Sequence, residues 1–341
     1  MRRLFGIGCL ASALAISVGF LPQPALAASR IIRIGTGTPA SCTETAFINA
    51  LATARARHGA TIRFRCGRAP VVIPVSDALT IPTNTIIDGD GLVTLQGGDG
   101  TFAVLLVDAG TTVTLRGLTI TNPDGGFGVI NDGQLLVSHT VFDDNTGVCG
   151  SALDNEGTLT VRHSRFTNGF GFFSGGAICN RGTATIEYSF FSENGGGGSA
   201  NGGGAIHNLG TLTVANSIFA HNTSFHDPGG AIRSNGTLSI RNTIFFQNDG
   251  GQGGAVFIDA GAATITNSVL LENAATGAAF SLAEGHGGGI YNHGGELKVT
   301  NSVIEGNTAV APGGGIFTCC DGSTSLQHAL VIGNLPDDVV P

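Results

Sequence analysis

The motifs that decide the fold are Gly203-Gly204-Ala205-Ile206 and Phe219-Ala220-His221-Asn222, which begin and end one repeat of the chain. Aligned on the residue in the alanine position of the first motif, the repeats start at Gly128, Ala152, Ala177, Ala205, Ala231, Ala255, Gly289 and Gly315. Successive starts are 24 to 34 residues apart, and no helical periodicity accompanies them. This spacing predicts a solenoid in which each repeat forms one coil of a parallel β-helix.

Each repeat contains three short β-rich segments separated by turns, and alternation with a period of two assigns their faces. The inward column of the third strand is predicted to contain Phe142, Phe166, Phe191, Phe219, Phe245, Leu270, Ile304 and Val331. Asparagine forms two further columns at the turns, one of which contains Asn145, Asn194, Asn222, Asn248, Asn273, Asn307 and Asn334. Stacked amides without carboxylates bind cations poorly, so these columns predict structural amide ladders and no metal site.

The sequence therefore predicts an all-β, single-stranded parallel β-helix with three short strands per coil and an N-terminal capping α-helix. The predicted helix, Thr43 to His58, begins with a capping arrangement at Ser41, Thr43 and Glu44. We divide the chain into a signal peptide at 1–27, a cap at 28–70, a β-helix at 71–335 and a C-terminal tail at 336–341.

Residues 1–27 have the pattern of a Sec-type secretory signal peptide. Arg2 and Arg3 precede an apolar stretch from Leu4 to Phe20, and Ala25-Leu26-Ala27 predicts cleavage near Ala27. The mature chain is predicted to be secreted, extracellular or periplasmic, without a transmembrane segment.

Charge excludes one class of partner. Without residues 1–27 the chain has 14 Lys and Arg against 24 Asp and Glu, a net charge near −10. Nucleic-acid binding requires a basic stripe, and Lys298 is the single lysine, so we expect no nucleic-acid partner.

Six cysteines follow the predicted cleavage site, and an even number in an exported chain favours disulfides. Cys42 and Cys66 bracket the predicted helix, and a disulfide between them would fasten the cap. The pairing of Cys149, Cys179, Cys319 and Cys320 stays open at the level of the sequence, because several arrangements are consistent with their positions.

The repeats resemble those of the polymorphic outer membrane proteins. The likeness lies in tetrapeptides such as Gly175-Gly176-Ala177-Ile178 and Phe191-Ser192-Glu193-Asn194, and it covers roughly residues 128–334. It implies a right-handed β-helix of the pectin-lyase-like superfamily, surface display and adhesion. Family members display this region through a C-terminal autotransporter barrel, and because the sequence stops at Pro341 we do not expect display by that route.

An outward apolar column supports the adhesin-type function. It is predicted to contain Val141, Phe190, Ile218, Ile244, Val269 and Val303, continuing to Leu330 and interrupted by Arg165. Contiguous exposed apolar surface indicates a partner. We expect a non-catalytic extracellular or cell-surface binding protein, with a protein or cell-surface polysaccharide as ligand, or self-association through the column. Loops that cover the column are the competing interpretation.

The alternative is a polysaccharide lyase or glycoside hydrolase, the enzymes most often built on this fold. Its candidate catalytic residues are Asp143, Asp144, Asp154 and Arg165, which place carboxylates and an arginine on two successive coils. A solvated charged surface would have the same composition. We predict no cofactor for this protein, with calcium expected only if it is a lyase.

A minor alternative comes from threonine. The second strands carry Thr158, Thr183, Thr211 and Thr237 in one predicted outward column, with a hydroxyl two residues beyond each. Such arrays resemble those of β-helical ice-binding proteins. Threonine is also favoured in exposed strands in general, and Ala262 and Glu296 interrupt the array.

Overall fold

The computed structural model describes residues 31–98, 102–198, 202–277 and 285–341, so the predicted signal peptide lies outside the described residues. Within these residues all strand pairs are parallel, and the strands form three sheets. The sheets wind as a right-handed β-solenoid of about 11 turns, which confirms the predicted fold class.

The strands of the described residues are distributed over sheets A, B and C, with 23, 11 and three members. Sheet A contains β1 (Ile31–Ile34), β2 (Ala60–Phe64), β3 (Val71–Val75), β5 (Thr85–Gly97), β7 (Thr112–Asn122), β9 (Gln134–Ser138), β10 (Val141–Cys149), β12 (Thr158–Arg162), β13 (Arg165–Thr167), β14 (Phe170–Ser174), β16 (Thr183–Glu187), β17 (Phe190–Ser192), β18 (Gly195–Gly196), β20 (Thr211–Ala215), β21 (Ile218–Ala220), β23 (Thr237–Arg241), β24 (Ile244–Phe246), β27 (Ala262–Thr266), β28 (Val269–Leu271), β31 (Glu296–Thr300), β32 (Val303–Glu305), β35 (Ser323–Gln327) and β36 (Leu330–Ile332). Sheet B contains β4 (Leu79–Thr80), β6 (Ala103–Val107), β8 (Phe127–Asn131), β11 (Leu153–Asn155), β15 (Ile178–Asn180), β19 (Ile206–Asn208), β22 (Ile232–Ser234), β26 (Val256–Ile258), β30 (Ile290–Asn292), β34 (Ile316–Thr318) and β37 (Val339–Val340). Sheet C contains β25 (Asp249–Gly250), β29 (Ala274–Ala275) and β33 (Thr308–Ala309).

A regular coil adds its first strand to sheet B and its second and third strands to sheet A. The parallel sheets extend past the predicted β-helix bounds of 71 and 335. Strand β2 lies before residue 71 and pairs with β5, and strand β37 lies after residue 335 and pairs with β34. The segments predicted as cap and tail thus contribute strands to the solenoid.

Helix α1 (Glu44–Ala56) covers the first coils. The Thr43 side chain accepts a hydrogen bond from the Ala46 amide at 3.2 Å, which caps the helix close to the predicted start. Phe47, Leu51 and Ala54 are buried against the solenoid. A 3-10 turn, Pro39–Ser41, precedes the helix, and Cys42 forms the predicted disulfide with Cys66 at an S–S distance of 2.01 Å.

The predicted phenylalanine column forms a continuous stack in the core. Successive ring centroids from Phe142 to Phe245 are 4.6 to 5.0 Å apart, and the ring planes differ by 1 to 11°. All five rings are buried. Parallel stacking follows from the spacing of neighbouring strands, about 4.8 Å, because identical residues in register must lie directly above one another.

Both asparagine columns form buried amide ladders, but the predicted member Asn145 lies outside them: it donates to the Ile120 and Asp143 carbonyls, because Gly169 occupies the equivalent place in the next coil. From Asn194 to Asn334 each side-chain N–H donates to the amide oxygen of the next coil at 2.8 to 2.9 Å, and Asn334 donates to the Asp338 carboxylate. The second ladder starts at Asn131 and runs to Asn208, which donates to the Ser234 hydroxyl.

The glycine pair of each repeat meets two different steric demands. Gly203 has φ +78°, in the left-handed region that L side chains rarely adopt. Gly204 has ordinary φ, but a Cβ at this position would overlap the Gly230 carbonyl of the next coil. The motif is therefore required by backbone stacking.

Candidate functional site

A column of polar residues follows the third strands, at the corner where the chain turns into the short strands β14, β18, β25 and β29. We call it the turn column; its members are Asp144, Asn168, Glu193, His221, Gln247 and Glu272. All six have φ between 51 and 56°. This left-handed backbone turns the chain sharply and directs the side chains away from the core. Asp144, Glu193 and His221 are exposed.

A cleft of about 370 Å³ lies beside the turn column. Asn168, Glu193 and His221 line it on the polar side. Phe170 and Phe225 line the other side, with their ring centroids 5.9 Å apart, and Phe172 packs edge-on against Phe170 at 5.2 Å. Phe172 and Phe225 are each more than half exposed. We call this cleft the phenylalanine groove.

The groove exists because a glycine interrupts an outward column. Gly195 pairs with Phe170 on one side and with Thr223 on the other, so a gap separates two larger side chains. A Cβ at position 195 would lie 2.7 Å from the Phe225 ring. Small size at this position therefore keeps the groove open.

Phe225 and His226 have φ of 42 and 78°, an arrangement that costs free energy for residues other than glycine. His226 is held by a contact between its Nδ1 and the Gly277 carbonyl at 3.1 Å. The strained turn places the Phe225 ring over Gly195. Strain of this kind is concentrated at binding sites.

The carboxylates of Asp144 and Glu193 make no hydrogen bond or ion pair with another described residue. Asn168 lies between them in the turn column, so their backbones are two coils apart, about 10 Å from the usual strand spacing. An exposed carboxylate beside aromatic rings, with a second carboxylate in the same column, can bind and act on a hydroxyl-rich ligand.

The predicted catalytic residues are brought together only in part. Asp143 is next to the turn column, where it accepts hydrogen bonds from Thr167 at 2.6 Å and Asn168 at 2.9 Å. Asp144 belongs to the turn column. Arg165 lies in the same region of sheet A, with its guanidinium 5.2 Å from the Phe190 ring centroid.

Asp154 lies elsewhere, on the outward face of sheet B, where it accepts a hydrogen bond from Arg181 at 2.5 Å. Burial raises the pKa of its carboxyl, and the nearby Arg181 opposes this shift. The four predicted catalytic residues therefore do not form one site. Residues on one coil face different directions when their strands belong to different sheets.

A larger cleft, of about 470 Å³, is formed in the early coils by Arg63, Asp88, Asp90, Arg116 and His139 among others. Asp88 lies between Arg63 at 3.3 Å and Arg116 at 2.5 Å. Burial raises the pKa of Asp88, but the hydrogen bond and charge of Arg116 outweigh it and the pKa falls. Because its buried carboxylate is already paired, this cleft is a weaker candidate for chemistry than the phenylalanine groove.

The predicted apolar column does lie in register on sheet A, from Val141 through Arg165 to Val303. Ile218 and Ile244 are 40 and 42% exposed, whereas Val141, Phe190, Val269 and Val303 are half-buried. The threonine column from Thr158 to Thr237 is also in register. The apolar column and the threonine column therefore both lie on the surface. A ligand for either column stays a prediction.

Cys149 and Cys179, whose pairing the sequence left open, form a second disulfide. Ser174 Oγ lies 2.9 Å from the Cys149 sulfur and 3.0 Å from His207 Nδ1. Burial and the Arg233 charge lower the pKa of His207 to about 4, so the ring is neutral at pH 7. Because Ser174 and His207 are buried, this group stabilises the fold and is not accessible to a ligand.

Sequence reasoning missed Phe170, Phe172, Phe225, Glu193 and His221 as site residues. Exposed sugar-binding platforms are often formed by tryptophan and tyrosine, and the chain has no Trp and two Tyr, so composition gave no indication of such a site. The available signal was the dense aromatic segment from Phe170 to Phe173, which departs from the repeat pattern.

No helix in the described part of the chain is long and apolar enough to cross a membrane. No protein-family model and no curated protein matches the chain, so nothing supports the polymorphic outer membrane protein repeats specifically.

Solved structures share the architecture. The A-module of the Azotobacter vinelandii mannuronan C-5 epimerase AlgE6 matches with a TM-score of 0.50 and 15% identity, over 87% of this chain and 93% of the module. The AlgE4 A-module of the same organism matches with a TM-score of 0.46 and 15% identity, over 90 and 95% of the two chains. The catalytic unit of a Streptomyces thermodiastaticus GH87 α-1,3-glucanase matches with a TM-score of 0.44 and 14% identity, over 90 and 69%. At 15% identity the likeness to the AlgE6 module shows the fold alone.

Proposed function

We propose that the protein is an exported enzyme that hydrolyses a polysaccharide bound in the phenylalanine groove. The observation that carries the proposal is the position of exposed phenyl rings beside the unpaired carboxylate of Glu193, with the Asp144 carboxylate in the same turn column two coils away. This is the alternative that stands beside the adhesin-type function in the sequence analysis, with Glu193 added to its residues. Two disulfides are compatible with an extracellular location.

The groove has the composition expected of a sugar-binding site. The rings of Phe170 and Phe225 offer apolar surface to the C–H face of a sugar, while Asn168 and His221 offer hydrogen bonds to its hydroxyl groups. The groove lies on the surface of an elongated solenoid, which leaves room for a polymer to extend from both ends. The epimerase module that shares the fold is itself named for action on a polysaccharide.

Two carboxylates supply the chemistry of hydrolysis. Glu193, which lines the groove, donates a proton to the leaving oxygen as the glycosidic C–O bond breaks. Asp144 takes a proton from the water that attacks the anomeric carbon. Inverting glycosidases place their carboxyl groups about 6.5–9.5 Å apart to admit this water. Asp144 and Glu193 are two coils apart, which leaves room between their side chains for such a water, so we expect an inverting mechanism.

The test is a screen of purified protein on neutral and uronate-rich polysaccharides, with and without calcium, in which new reducing ends are measured. Glu193→Gln and Asp144→Asn are each expected to lower kcat about 10²–10⁴-fold. Glu272→Gln changes the same column outside the groove and should leave kcat unchanged. Turnover that survives Glu193→Gln, or an unsaturated uronate product formed without water, would contradict hydrolysis at this site.

A second candidate function is binding of a protein partner through the apolar column, in keeping with the adhesin-type prediction. The exposure of Ile218 and Ile244 on a flat sheet favours it. Ile218→Asp together with Ile244→Asp should abolish partner binding or self-association, measured by sedimentation and by cell binding. Unchanged association in the double variant would contradict binding through the apolar column.

A further inference from the structure

The turn that follows the first strand brings three donor-bearing residues together in the last coils. Ile258, Asn292 and Thr318 are in register on sheet B, so the residues after them, Asp259, His293 and Cys319, occupy equivalent places in successive coils. Cys320 comes next, with φ +61°.

The side chains of His293, Cys319 and Cys320 form a compact cluster, which we call the thiol cluster. One ligand atom from each lies within 4.8 Å of the other two. Both cysteines are free, Cys320 is exposed and Cys319 is partly buried. A metal ion with bonds of about 2.3 Å to sulfur and 2.0 Å to nitrogen requires donors only slightly closer than this.

The carboxylate of Asp259 orients the imidazole ring of the thiol cluster. His293 Nδ1 lies 3.4 Å from Asp259 Oδ1, which leaves Nε2 to face a ligand. Asp259 is held in turn by Arg233 and Asn235, each donating to Oδ2 at 2.6 Å. A carboxylate that fixes the distal nitrogen of a histidine is the usual support of a metal-binding imidazole. On the sulfur side, the Tyr291 hydroxyl lies 3.0 Å from Cys319 Sγ.

We propose that Cys319, Cys320 and His293 bind a zinc ion, with the fourth coordination position open to solvent. Two thiolates and one imidazole are donors that Zn²⁺ prefers, and hard ions such as calcium avoid them. This site revises the expectation of no metal that followed from the sequence. It is independent of the phenylalanine groove and of the function proposed for that groove.

A comparison within the chain supports the choice of cluster. Cys149, Cys179 and His207 also have their ligand atoms within 4.8 Å of one another. Their sulfurs are bonded to each other and all three residues are buried, so they offer no thiolate to an ion. Of the two groups, the thiol cluster alone combines free thiols with an open side.

The test uses the whole protein purified without reductant, with Co²⁺ as a spectroscopic probe and Zn²⁺ as competitor. We expect one equivalent of Co²⁺ to produce thiolate charge-transfer bands and tetrahedral ligand-field bands, both removed by Zn²⁺. Cys319→Ser, Cys320→Ser and His293→Gln should each weaken binding at least about tenfold, the size of effect seen even for outer-shell changes. His328→Gln, an exposed histidine of the last coil outside the cluster, should bind as the original protein does.

Circular dichroism of the variants separates loss of the site from loss of the fold. Folded variants that still bind Co²⁺ with unchanged affinity would overturn the proposal. So would a Cys319–Cys320 disulfide in the purified protein, detected by mass spectrometry and by the absence of titratable thiols. Neither result would affect the hydrolysis screen, so the two proposals fail separately.

Discussion

His207 and His221 lie at different corners of the same coil, and their surroundings give them opposite properties. His207 is buried on sheet B between Ser174 and Asn235, and its pKa is lowered to about 4. His221 is exposed in the turn column beside the groove. The period-two alternation of the strand places His207 on the outward face, yet packing of the neighbouring turns covers it.

The buried state of His207 predicts acid sensitivity. Because its folded-state pKa lies below the unfolded value, the unfolded chain takes up the proton first, and stability is lost as pH falls from about 6.5 towards 4. The loss should reach about 3 kcal/mol. Urea unfolding at several pH values measures it. His207→Gln should flatten this slope while His221→Gln retains it; equal slopes in both variants would contradict the assignment.

Gly195 offers a test of the groove by its size alone. Gly195→Ala places a methyl group against the Phe225 ring, so we expect the KM for the polysaccharide to rise about tenfold, or about 1.4 kcal/mol of binding. The double variant Gly195→Ala/Phe225→Ala restores the space but lacks the Phe225 ring. Substrate should therefore enter the groove again but bind more weakly than it does to the original protein. A Gly195→Ala variant with unchanged KM would mean that substrate does not use the groove.

At the scale of the element, residues that repeat with the coil could be assigned from the sequence and those outside the repeat could not. The phenylalanine and asparagine columns were predicted because a stacked position keeps one chemistry in every coil. Phe170 and Phe172 lie in a segment without period, so nothing in the repeat indicates their direction. Asp154 was grouped with Asp143 because they fall on successive coils, but the spacing of residues along the chain does not reveal that their strands belong to different sheets.

The asparagine ladder should contribute stability through each rung. Asn248 donates to the Phe219 carbonyl and to Asn273, and it accepts from Asn222. Asn248→Ala leaves these buried groups without partners, which should cost about 2–4 kcal/mol in the free energy of unfolding. Asn242→Gly, at an exposed turn with φ 50°, keeps its backbone and should cost much less. Equal losses in urea titrations would contradict a special role for the ladder.

At the scale of the whole molecule, each coil is stabilised mainly by the coils on either side, so an end of the solenoid is its weakest point. Helix α1 buries Phe47 and Leu51 over the first coils, and the Cys42–Cys66 disulfide closes the segment that contains it. The cap thus protects the parallel strands of β1 and β2 from opening at the edge.

Removing the Cys42–Cys66 disulfide should destabilise the N-terminal end of the solenoid before the other coils. The bridge spans 24 residues, so Cys42→Ser with Cys66→Ser should lower the free energy of unfolding by about 3 kcal/mol. Hydrogen exchange should accelerate in β1 and β2 before it does in the phenylalanine stack. His328→Gln, at an exposed position in the last coil, serves as the control. Uniform acceleration along the chain would show that the cap does not act locally.

The glycine pair has a further consequence for how such a chain can change in length. Because each carbonyl of the pair packs directly on the coil beneath, every coil must advance by the same small step, whatever the rest of its turns contain. The length of the solenoid can therefore change only in whole strand spacings. Duplicating one whole coil between Asn222 and Asp259 would move the phenylalanine groove and the thiol cluster apart by one strand spacing and leave each of them intact.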